Sequence, residues 1–205
     1  MEKYITIEKR SSFEFEDRKS VFIGQACPVT TEEEAISFIN ETRKSYPDAR
    51  HHVYAYILKN NAIMRFSDDG EPQGTAGKPV LETIRKNECV DIVIVVTRYF
   101  GGTLLGTGGL VRAYTASALG ALESAHVIEY KPYTQLRLKI NYSDYNKISS
   151  VISSIGFKIE DSDFADDINI IGSLPTEMFD IFEKKLIEIT AGRVVIKKLS
   201  EKFDF

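Results

Sequence analysis

Two cysteines among 205 residues make no disulfide scaffold, and Cys27 and Cys89 form no spaced motif. Long apolar runs are also missing. No stretch approaches the length that spans a bilayer, and Met1 to Thr6 lack the apolar centre of a signal peptide. The expectation is a cytoplasmic protein with reduced thiols and no membrane contact. Basic charge is not in excess either. The net charge is −4, with 15 basic and 18 acidic residues before Tyr130 and 11 and 12 after it. A wholesale basic surface for nucleic acid is excluded, which leaves room only for a local patch. The three histidines have no zinc spacing. His51 and His52 are adjacent and point to opposite faces of a strand, so they cannot make one metal pair. No serine or cysteine sits in a nucleophile elbow. No catalytic residue, metal or cofactor is read from the sequence.

What is present is patterning for two α+β domains, residues 1–130 and 134–205. Residues 4–15 and 20–29 alternate as strands around the polar turn Asp17–Lys19, which predicts a hairpin. Thr31 to Glu34 has the form of a capping box, and Ala35, Phe38, Ile39 and Thr42 follow at helical spacing. His52 to Leu58 reads as a strand, turned at Lys59–Asn61 into a second run, Ala62 to Phe66. Val80, Leu81 and Ile84 mark a short helix with Pro79 in its first turn. Ile92 to Val96 is continuously apolar, which suits a strand covered on both faces. Val111, Tyr114, Ala118, Leu122 and Ala125 line one face of a long helix. A break is expected near Glu129–Tyr133. Beyond it the order is strand, helix, strand, strand, helix, strand, the ferredoxin-like split unit, with Gly156 and Gly192 as helix stops.

Eight of the thirteen glycines fall between Gly70 and Gly109, in two blocks. The second block contains Gly101, Gly102, Gly106, Gly108 and Gly109 and joins a strand to a helix. It is not a Walker loop, because Thr107 stands where lysine is required. It is not a dinucleotide fingerprint, because Val111 replaces the last glycine. Two readings stay open: anion binding by the amides from Gly108 to Val111, flanked by Arg98 and Arg112, or tight turns that only let elements pack. The first block holds Asp68, Asp69, Gly70, Glu71 and Thr75, followed by Lys78. Its acids suit a metal site, or salt bridges and Asp-Gly turns. Tyr99 and Phe100 suit base stacking or core packing.

The blocks Asp68-Asp-Gly-Glu-Pro-Gln-Gly-Thr-Ala-Gly-Lys-Pro79, Val95-Val-Thr-Arg-Tyr-Phe-Gly-Gly102 and Gly108-Gly-Leu-Val-Arg-Ala-Tyr114 resemble the signatures of the YigZ/IMPACT family. His51 and Ala55-Tyr56 match its pattern upstream. The resemblance implies a first domain like the second domain of a small-subunit ribosomal protein. It implies a ferredoxin-like second domain like domain V of elongation factor G. It also implies a translation-associated role, with RNA, the ribosome or a translation factor as partner. The site expected on this basis comprises Arg98, Tyr99, Gly101, Gly102, Gly106, Gly108, Gly109, Arg112, Lys78 and His51, with Asp68, Asp69, Gly70, Glu71 and Thr75 at its rim. Two alternatives accompany it: a metal-assisted enzyme acting on a small anionic substrate, and a protein-interaction adaptor.

Overall fold

A computed structural model describes residues 3–59 and 63–204. The chain divides into two compact units, Tyr4–Glu129 and the residues from Tyr130 onward. Both are mixed α and β.

In the first unit, strand β1 (Tyr4–Ile7) is separated from β2 (Ser11–Asp17), so the stretch 4–15 is not one strand. Ile5 instead bridges to Cys89. Strands β2 and β3 (Ser20–Pro28) form a hairpin through Arg18 and Lys19, both with positive φ, the geometry of a two-residue turn that matches strand twist. Helix α1 (Glu32–Ser45) follows. The Thr31 hydroxyl accepts from the Glu34 amide at 3.2 Å, while the Glu34 carboxylate accepts from the Thr30 amide at 2.7 Å, one residue further back than a capping box requires. The rest of the unit is β4 (His51–Leu58), β5 (Ile63–Ser67), α2 (Gly77–Lys86), β6 (Ile92–Tyr99) and α3 (Gly106–Ser124). The turn expected at Lys59–Asn61 and the residue Ala62 fall mostly outside the described residues.

The five strands run β2-β3-β6-β4-β5, all antiparallel. Ile92, Ile94 and Val96 of central β6 pack under α2 and α3 with Phe22, Val80, Ile84 and Tyr114. Val93 and Val95 pack under α1 with Ala35, Phe38 and Ile39. Burial on both faces explains the unbroken apolar run of β6.

Strand β7 (Val127–Ile140) includes Pro132. Pro132 sits opposite Phe203. The second unit continues with α4 (Tyr145–Ile155), β8 (Lys158–Phe164), β9 (Ile168–Pro175), α5 (Phe179–Thr190) and β10 (Val195–Asp204). Its antiparallel order is β10-β7-β9-β8, the ferredoxin-like arrangement. Gly156, with φ 73°, closes α4 in the left-handed conformation. The core gathers Leu136, Leu138, Ile148, Ile152, Ile170, Phe182 and Leu186. Cys27 and Cys89 are buried free thiols. Among the described residues no helix is long and apolar enough to cross a membrane.

Candidate functional site

The first glycine block is a built wall. Helix α2 begins at Gly77 after Ala76, which has no side chain to cap it. Asp68 supplies the cap from outside the helix. Its Oδ1 accepts from the amides of Ala76 at 3.1 Å and Gly77 at 2.8 Å, and its Oδ2 accepts from Gly74 at 2.8 Å. A carboxylate there also meets the positive end of the helix dipole. Asp69 ties the loop to its neighbours: Oδ2 accepts from the His52 amide at 2.6 Å and Oδ1 from Arg43 at 2.9 Å. Gly70 turns the chain with φ 87°. The Thr75 hydroxyl donates to the Pro72 carbonyl at 2.7 Å.

Glu71 then points inward, with 4% of its side chain exposed. Its Oε1 accepts from Arg98 Nη1 at 2.6 Å and from the Tyr114 hydroxyl at 2.8 Å. Burial, then the Glu71 charge, push the Tyr114 phenol far above its ordinary value, so it stays a neutral donor. Among the described residues no group of three or more His, Cys, Asp or Glu is arranged to hold a metal ion.

Beside this wall lies a cavity of about 450 Å³, lined by Arg50, His51, Glu71, Pro72, Arg98, Phe100, Leu104, Leu105, Gly106, Thr107 and Leu110. Sheet register explains the pairing at its floor. His51 on β4 and Phe22 on β3 are both opposite Arg98 on β6, so the three side chains leave the sheet on one face. The Arg98 guanidinium lies 5.4 Å from the Phe22 ring and 5.6 Å from the Phe100 ring. Its side chain is 7% exposed, and its buried Nε has no hydrogen-bond partner among the described residues. His51 Nδ1 is 2.9 Å from the Asp69 carbonyl. A carbonyl only accepts, so Nδ1 carries a proton, and Nε2 is the acceptor of that tautomer. That Nε2 lies 4.0 Å from Glu71 Oε1.

Helix α3 starts at Gly106, so the amides ahead of its hydrogen-bond ladder are those of Gly106 to Gly108, rather than Gly108 to Val111. Of the expected site residues, Arg98, His51, Glu71 and Gly106 line the cavity. Asp68, Asp69, Gly70 and Thr75 build its wall. Tyr99 alternates to the face opposite Arg98 and stays out. Arg112 is exposed on α3, and Arg112, Gly101, Gly102, Gly108 and Gly109 lie outside the lining. Lys78 lines a different cavity, beside Glu82 and Lys86 of α2 and Val111 of α3. Gly101 has a packing role: a Cβ there would collide with the Lys19 and Ser20 backbone. Sequence reasoning missed Arg50, Leu104 and the link from Tyr114 to Glu71. Arg50 is a lone base ahead of a strand, a pattern with no local signature, and Tyr114 reads as an ordinary core aromatic.

Residues 18–122 match the family model of the Impact N-terminal domain, and residues 138–193 match a domain of unknown function, DUF1949. The chain is 33% identical over 199 residues to the IMPACT family member YvyE of Bacillus subtilis, covering 97% of this chain and 92% of that one. It is 34% identical over 189 residues to the IMPACT family member YigZ of Escherichia coli, covering 91% and 93%. Protein IMPACT of Xenopus laevis is 33% identical over 96 residues, 44% of this chain and 30% of that protein. A crystal structure of a hypothetical protein, 32% identical, superposes with a TM-score of 0.61 over 98% of each chain.

Proposed function

The chain belongs to the IMPACT family, and on that premise we propose that its first unit binds single-stranded RNA through this cavity, as a cytoplasmic, translation-associated protein. The observation that supports the reading is the cavity itself: Arg50, Arg98 and the first turn of α3 converge on it. A phosphate entering there meets the exposed guanidinium of Arg50 and the first turn of α3 at Gly106 and Thr107, a helix N-terminus suited to an anion, with the Arg98–Glu71 pair at the floor. Phe100 and Leu104 are 50% and 81% exposed and offer apolar surface beside it. A base stacked on such an aromatic ring contributes about 1–3 kcal/mol. The volume falls within the range typical of ligand sites. The acid loop sets the shape of the wall, since Asp68 and Asp69 are engaged by protein donors.

The test is the anisotropy of a labelled oligouridylate titrated with the protein at two salt concentrations. Binding weakens with salt. Arg50→Ala reduces the log–log slope by about 0.7, the value for one lost contact to a single strand. Arg50 is exposed, so the variant leaves the fold intact. Wild-type protein without salt-sensitive binding removes the RNA reading.

A further inference from the structure

We infer that His51 reads the ribose 2′-hydroxyl, so that the cavity selects RNA over DNA. The inference rests on the RNA reading above.

The argument begins with the tautomer. Nδ1–H is committed to the Asp69 carbonyl at 2.9 Å, and a Cβ at Gly70 would lie 3.4 Å from the same nitrogen. The free lone pair is therefore on Nε2, and His51 lines the cavity. The other polar liners are mainly donors: Arg50, Arg98, the amides of Gly106 and Thr107, and the Thr107 hydroxyl. Glu71 is the exception, and its Oε1 already accepts from Arg98 and Tyr114. A ligand that satisfies this lining carries an anion for the donors and, next to it, one hydroxyl for the acceptor. Ribonucleotides have that arrangement, a 2′-hydroxyl adjacent to the 3′-phosphate. Deoxyribonucleotides lack the hydroxyl, and it is the group by which a protein tells RNA from DNA at a given site.

The experiment compares oligouridylate with oligodeoxyuridylate of equal length, so that only the hydroxyl differs. Wild-type protein prefers the ribose strand by about 2- to 10-fold, the worth of one net hydrogen bond. His51→Ala gives a ratio near one. Arg50→Ala weakens both strands and keeps the ratio. Should His51→Ala fold poorly, His51→Phe, which keeps a ring but has no acceptor, decides in its place and also gives a ratio near one. Equal, salt-sensitive binding of both strands overturns the inference and leaves the nucleic-acid reading standing. A ratio that survives His51→Ala also overturns it. No binding of either strand removes both.

Discussion

Glu71 is the residue on which the first glycine block and the sheet meet. One oxygen takes both the Arg98 guanidinium and the Tyr114 hydroxyl, in a place where neither charge is exposed to water. Removing one partner of a buried ion pair strands the other charge. Glu71→Ala is therefore expected to destabilise the first unit by about 3–5 kcal/mol, read as a lower urea midpoint. A loss below about 1 kcal/mol, in the range of an exposed pair, contradicts the buried-pair account. Asp68 does more than the metal, salt-bridge or turn roles that its place in an Asp-Asp-Gly turn suggests. It takes three backbone amides and caps α2, a long-range partnership that local sequence does not encode.

At the scale of elements, much was legible because period reports burial. The stripe Ala35, Phe38, Ile39 and Thr42 is the buried face of α1, and Ile92 to Val96 is buried throughout. The face of α3 was legible at Tyr114, Ala118, Leu122 and Ala125, all buried, but its start was not. The helix extends back to Gly106, through glycines that propensity assigns to loop, and the buried positions near its start are Gly109, Leu110 and Ala113 rather than Val111. Positive φ falls at the helix start. Gly106 has φ 71°, whereas Gly108 is helical, and a Cβ on Gly108 would meet only Arg112 Nη1 at 3.6 Å. Gly106→Val is expected to cost about 1–3 kcal/mol of strain. Gly108→Ala is expected to be neutral or to stabilise by up to about 1 kcal/mol through helix propensity. Thermal unfolding of the two variants checks the contrast, and equal losses would refute this placement of the helix start. Sheet alternation was the other gap. The Arg98-Tyr99 pair looks like one patch in sequence, but a strand sends the two side chains to opposite faces.

On the scale of the whole molecule, each unit gathers its own apolar cluster: Phe22, Ile94 and Tyr114 in the first, Leu138, Ile152 and Phe182 in the second. We propose that residues 1–130 and 134–205 behave as separate folding domains. Phe182→Ala then lowers protection against hydrogen exchange across the second unit, by an amount corresponding to about 3–5 kcal/mol. Amides of β3 and β6 keep their protection. Parallel loss of protection in β6 would contradict independent domains. The net charge of −4 sets the scale of any nucleic-acid contact: it must be local and modest.

The central claim, that the cavity under α3 receives an RNA phosphate, is tested most directly by an amide NMR titration with oligouridylate. The account predicts saturable shifts centred on Gly106, Thr107, His51 and Arg50, reversed by added salt and displaced little at Lys78 or Arg112. Shifts centred on Lys78 and Lys86, or on the second unit, with Gly106 and Thr107 unmoved, would contradict it.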